Sequence, residues 1–117
     1  MKSYLPTVRA IAMALPGVEE GTSYGTPSFK VKGKLLARMK EDNETLVLRV
    51  ALELKDALVE NEPEVFFTTP HYDGYAAVLV RLGKIKKTEL ARAIDEAWHF
   101  VAPKKLVEAR AKPRKKN

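Results

Sequence analysis

Between Ser28 and Val50, apolar and charged side chains alternate with a period of two, three times in succession. In "SFKV" Phe29 and Val31 alternate with Lys30 and Lys32. In "KLLARMK" Leu35, Ala37 and Met39 alternate with Lys34, Leu36, Arg38 and Lys40. In "TLVLRV" Leu46, Leu48 and Val50 alternate with Thr45, Val47 and Arg49. Successive residues of a strand point to opposite faces, so this pattern predicts three strands with one face on a core and one facing away. Parity also constrains the connections. A two-residue Lys32-Gly33 turn would set Val31 opposite Lys34, whereas a three-residue loop, Lys32-Gly33-Lys34, sets Val31 opposite Leu35 and keeps the faces pure. The longer loop is therefore expected. A four-residue loop over Glu41-Asp42-Asn43-Glu44 pairs Met39 with Leu46 and Ala37 with Leu48.

The flanks read as helices and two more strands. Val8, Ile11, Ala12 and Leu15 share a helical face that Pro16-Gly17 ends, and Leu54, Ala57 and Leu58 share another that ends before Pro63. "EVFFTT" and "YAAVLVRL" are strands. Thr88 is the expected cap of a helix with Leu90, Ile94, Trp98 and Val101 on one stripe, and "KKLVEARA" adds helical turns after Pro103. The order α-β(3)-α-β(2)-α(α) predicts an α+β fold, a two-layer sandwich with an antiparallel sheet and its helices on one face. At 117 residues the chain is a single domain, 1–109, with a basic tail over 110–117.

Charge supports this division. The net +6 is accounted for by residues 103–117, which hold seven basic residues and one acidic one, so the rest of the chain is balanced. Such an end reads as a solvated tail. With no cysteine, disulfides and thiolate metal sites are excluded. No apolar run approaches the roughly 18–20 residues that span a bilayer, so membrane partnership is not expected and a cytoplasmic setting is.

Candidate chemistry centres on two places. The segment "TTPHYDGYAAVLVRL" puts His71, Tyr72, Asp73 and Tyr75 beside one another, a base with a carboxylate to orient it, but no nucleophile of the expected pattern accompanies them. Pro70 and Asp73-Gly74 are turn chemistry, so the segment reads as a turn. His71, Tyr72, Tyr75 and Trp98 are kept as possible ligand contacts. His71 and His99 lack metal-ligand spacing, Glu19-Glu20 point apart on an extended segment, and Gly33-Lys34 lacks the rest of a phosphate loop. No catalytic residue, metal site or cofactor is expected. The second place is the sheet face that parity leaves open, where Lys30, Lys32, Lys34, Arg38, Lys40, Arg49 and Arg81 could track phosphates. The same lysines are also what an exposed sheet needs to stay soluble. Leu36, Val47 and Leu79, expected on that face, could make a small contact patch for a protein or a second copy.

"LPGVEEGTSYGTPSFKVKGKLLARM" at 15–39, "PHYDGYAAVLVRL" and "AWHFVAPKKLVE" together resemble the MmcQ/YjbR family of small bacterial proteins over about residues 5–108. The resemblance implies a fold like that of bacterial secretion chaperones. It also implies the family's DNA-binding label, which comes from likeness to a "double wing" domain, and it supplies no catalytic residues. The leading expectation is weak, salt-dependent DNA binding through the basic face and the lysine-bearing hairpin. A protein-interaction or self-association module and a small-ligand pocket near His71 and Tyr75 are the alternatives.

Overall fold

A computed structural model describes residues 3–111. Its elements run α1 (Leu5–Met13), β1 (Val18–Ser23), β2 (Thr26–Val31), β3 (Lys34–Met39), β4 (Thr45–Arg49), α2 (Leu52–Asn61), β5 (Phe66–Phe67), β6 (Ala77–Arg81), α3 (Lys87–Val101) and α4 (Lys104–Ala111). A short 3-10 turn, Pro70–Tyr72, lies between β5 and β6. The strands form one antiparallel sheet in the order β1-β2-β3-β4-β6-β5. All four helices contribute to a core built on one face of it. This is the α+β sandwich expected, with one strand more. Helix α4 carries regular structure through Ala111, and residues 112–117 of the expected tail lie outside the described residues.

The core row Phe29, Ala37, Leu48, Val78 crosses the sheet under the helices, fully or almost fully buried. Trp98, Ile94 and Leu90 of α3 and Val8 and Ala12 of α1 close it from above. Trp98 is wholly buried, and its indole N–H donates to the Pro16 carbonyl at 2.8 Å, tying α3 to the end of α1. Helix α3 starts at Lys87 rather than being capped by Thr88: Lys86 takes the extended cap conformation, without a side-chain hydrogen bond.

Two expectations about register change. The β2–β3 connection is the two-residue Lys32-Gly33 turn, with φ of 50° and 84°. Positive φ at both central residues gives the turn twist that matches a hairpin. Val31 then faces Lys34, and the mismatch is absorbed at once by a bulge: Lys30 pairs with Leu35, but Phe29 pairs with Ala37. Leu36 is the extra residue. It is fully buried in the core, while Leu35 sits half-buried on the other face, the reverse of the parity expectation. The four-residue loop at 41–44 pairs Met39 with Leu46 and Ala37 with Leu48, as its length dictates.

That loop is held by Asp42. Its carboxylate accepts from the Glu44 and Thr45 N–H groups, both at 2.9 Å, and from the Thr45 hydroxyl at 2.8 Å. Burial pushes the Asp42 carboxyl up, but these hydrogen bonds, aided by the Lys40 charge, outweigh it and hold the group below its usual range. A depressed carboxyl stabilises the fold above its unfolded pKa of 3.8, and that contribution fades as pH falls through the lower folded value. Asp42→Ala should therefore cost about 1 kcal/mol near neutrality. Thermal melts at pH 7 and near pH 3 check it: the gap between the two proteins should narrow in acid.

The sheet ends differ from its middle. β1 has a single buried residue, Val18, and otherwise carries Glu19, Glu20, Gly21 and Thr22 in solvent. Glu20 makes a two-pronged ion pair with Arg9 of α1, at 2.7 and 2.8 Å. At the other edge β5 is only two residues long, with Phe66 in the core and Phe67 on the opposite face beneath the Arg81 guanidinium, 4.0 Å from the ring centroid.

Candidate functional site: a cleft on the open sheet face

Directly paired residues share a face, so the register defines a row across all six strands on the side away from the helices: Gly21, Ser28, Arg38, Val47, Leu79 and Phe67. This face is not bare. The segment between β5 and β6 folds back over it, and Val47, Ala77 and Leu79 form a second small core with Phe67 and Tyr72. Val47 and Leu79 are almost fully buried there and Leu36 lies in the main core, so the exposed apolar patch expected of these three does not exist. Alternation along a strand assigns a side but says nothing of what later covers it.

The folded-back segment is anchored from below by an unusual donor. Lys55 of α2 is 4% exposed, and its ammonium donates to the Tyr72 carbonyl at 2.6 Å and the Tyr75 carbonyl at 2.8 Å. Arg49 adds a bond from its Nε–H to the Ala76 carbonyl at 2.8 Å. Two cations thus fix the backbone of 72–76, and with it the directions of its tyrosines.

Between this segment and the β1–β2 hairpin lies a cleft of about 600 Å³. Val47, Leu35 and Ala77 line it with apolar surface, and Tyr72, Tyr75 and His71 come from the folded-back segment. Tyr24 comes from the hairpin tip, where Tyr24 and Gly25 have φ of 55° and 79°. Arg38 joins the two sides: its guanidinium donates to the Tyr72 hydroxyl at 3.2 Å and to the Thr26 hydroxyl at 3.1 Å, and lies 5.2 Å from the Tyr24 ring centroid. Arg49 lines the same space, as does Glu41, whose carboxylate is 3.8 Å from Arg38. Tyr24 is 86% exposed and Tyr75 59% exposed, so both rings are open to solvent at the cleft.

The expected site residues are thus divided. Arg38, Arg49, His71, Tyr72 and Tyr75 meet in the cleft. Lys40 stands beside it, its ammonium 5.8 Å from the Tyr72 ring. Lys30 is exposed on the same face and paired in register with Glu19. Lys32 lies within the tight β2–β3 turn and Lys34 follows it at the start of β3, and the Lys32 stem approaches Gly17. Arg81 is bound to the Pro63 and Glu64 carbonyls. Trp98 lies in the core under the helices and is not part of the cleft. His71 packs edge-on against Tyr72, with centroids 4.8 Å apart, while Asp73 accepts from Thr68, so no base–carboxylate pair forms between them. In the sequence Tyr24, Tyr72 and Tyr75 do not interleave with the lysines and make no evident stacking platform, yet all three line the cleft, and neither Glu41 nor Lys55 is marked there as a site residue. Among the described residues no group of three His, Asp or Glu side chains comes together to hold a metal, and no helix is long and apolar enough to cross a membrane.

A family model, YjbR, matches residues 13–100. The chain belongs to the YjbR family. Every residue lining the cleft of this YjbR chain falls within the matched span. Among curated proteins it is 57% identical over 56 residues to the uncharacterized protein Rv2570 of Mycobacterium tuberculosis (strain ATCC 25618 / H37Rv) and equally to uncharacterized protein Mb2600 of Mycobacterium bovis (strain ATCC BAA-935 / AF2122/97). These alignments take in 48% of this chain and 43% of each relative, so the YjbR chain spans under half the length of the curated relatives it matches. Among solved structures it resembles Deinococcus radiodurans protein DR2400, a DUF419 domain, with a TM-score of 0.75. That likeness covers 97% of this chain and 91% of the other at 21% identity, and it establishes the fold.

Proposed function

We propose that this YjbR chain is a binding module, without catalysis of its own, whose cleft takes a single-stranded nucleic-acid element. A base would stack on Tyr24 or Tyr75, and a phosphate would sit by Arg38 and Arg49. The observation that carries this reading is the pair of largely exposed tyrosines, Tyr24 and Tyr75, lining one cleft with two guanidiniums. Aromatic rings that accept any base face, beside cations that accept the backbone, are the recurring means of holding an unpaired strand. The broad duplex-docking face is less well supported. Arg81 is turned onto the Pro63 and Glu64 carbonyls, Lys32 and Lys34 lie at the β2–β3 turn away from the Tyr24 hairpin tip, and the folded-back segment occupies the middle of the sheet.

Salt separates the two. Seven cations on a duplex give a slope of log K against log salt of about −6, whereas two phosphates of a single strand give about −1.4. Fluorescence anisotropy with a labelled oligothymidine and a labelled duplex should show preference for the single strand and the shallow slope. Tyr24→Ala and Tyr75→Ala should each weaken binding roughly 5- to 150-fold, the worth of about 1–3 kcal/mol of stacking. A steep slope with duplex preferred would restore the broad face. Indifference to both tyrosine changes would remove the cleft. A chain ending at Ala111 shows what the basic tail adds.

The volume of the cleft favours one alternative, a single small ligand, since about 600 Å³ is within the range of ordinary ligand sites. A mononucleotide that binds as tightly as the oligomer would select it.

A further inference from the structure

On the opposite side of the sheet a groove of about 570 Å³ opens between α2 and α3. Val50, Leu54, Leu58, Phe66 and Phe100 line it with apolar surface, and Phe100 is 43% exposed. Its rim is acidic: Glu62, Glu89 and Glu96 line it against one arginine, Arg92. His99, also on the rim, is turned back along its own helix, with Nδ1 2.9 Å from the Asp95 carbonyl. The neighbouring surface continues the same sign. Glu53, Asp56, Glu60 and Glu64 are exposed along α2 and its exit, and Lys55, which would have neutralised part of that face, is buried beneath the folded-back segment.

We infer that the α2–α3 groove docks a short helical segment of another protein, one that presents apolar anchors flanked by lysine or arginine. Apolar side chains entering the groove remove the exposed Phe100 and its neighbours from water, and an amphipathic helix lays such anchors down at i, i+3, i+4 and i+7. The rim decides which helix. An acidic segment would meet three glutamates, whereas a basic one pairs with them and is steered toward the groove. The chain's own last residues, KPRKKN, offer charge but no anchor beyond proline, so they fit the rim and not the floor.

The test uses the full chain, isotopically labelled, and a synthetic leucine–lysine amphipathic peptide of roughly 12–15 residues, the length at which an isolated helix begins to hold. Its leucine–glutamate counterpart is the control. Amide shifts confined to residues 52–62 and 89–100 are expected with the basic peptide only. Phe100→Ser should weaken binding about tenfold, as should reversing Glu62, Glu89 and Glu96 to lysine. Because Phe100 is exposed, a folded variant is expected and its spectrum verifies it. Three results would each overturn the inference: shifts that map elsewhere, equal binding of the acidic peptide, or no binding at millimolar peptide. Self-association that Phe100→Ser abolishes, with the peptide inert, would replace the foreign segment by a second copy.

Discussion

Trp98→Ala is expected to lose about 3–5 kcal/mol of stability, most of what a domain of this size has to spare. The side chain is completely buried where α3, α1 and the sheet meet, and no smaller residue fills that volume. Truncation also strands the Pro16 carbonyl, which takes the indole N–H at 2.8 Å. Arg110 of α4, whose guanidinium is 4.8 Å from the Trp98 ring and pairs with Asp95 at 2.6 Å, loses one of its two supports. The loss should therefore spread to α4. Trp98→Phe separates the contributions: it keeps most of the packing and gives up the hydrogen bond, so it should cost far less than the alanine change. Urea denaturation followed by far-ultraviolet circular dichroism measures all three proteins, since the chain's single tryptophan is the residue replaced.

Lys55→Met is expected to act more locally and to reach function. Methionine keeps the apolar stem but leaves the Tyr72 and Tyr75 carbonyls without the ammonium that now bonds both. An unsatisfied buried carbonyl costs about 1–3 kcal/mol, and the removed desolvation of a buried ammonium returns part of it, so a net loss of about 2 kcal/mol follows. The folded-back segment can limit the loss by lifting into water. Hydrogen exchange should then show amides 72–77 opening while β3 and β4 keep their protection. The proposed strand binding should fall about tenfold, although Lys55 does not line the cleft, because its tyrosines lose their fixed backbone. Unchanged exchange at 72–77 would show that Arg49 and the small core around Val47 hold the segment alone.

Much of the sheet was legible from alternation. Phe29, Met39, Leu46 and Leu48 follow parity, and the loop at 41–44 fixes their partners. The leucine pair at 35–36 was not legible. Either residue satisfies an apolar pattern, and only the turn at Lys32-Gly33 decides which one enters the core. β1 was missed because an edge strand with one buried residue carries almost no hydrophobic period. The cleft was half-visible: His71, Tyr72 and Tyr75 were singled out as a group, but its other side depends on a hairpin whose first strand gave no signal. Lys55 did leave a trace, a lysine among Leu54, Leu58 and Val59 on a stripe that turns inward. A cation at such a position signals an inward acceptor, here two carbonyls supplied by a distant loop.

The two sheet margins have a consequence for how copies of this protein can meet. One margin repels its own likeness with adjoining carboxylates, one of them clasped by Arg9, and the other is too short to template a new partner. Lateral growth of the sheet, the route to fibrils and exchanged strands, is disfavoured at both ends. That leaves the layers, not the ladder of backbone bonds, as the easier route to assembly.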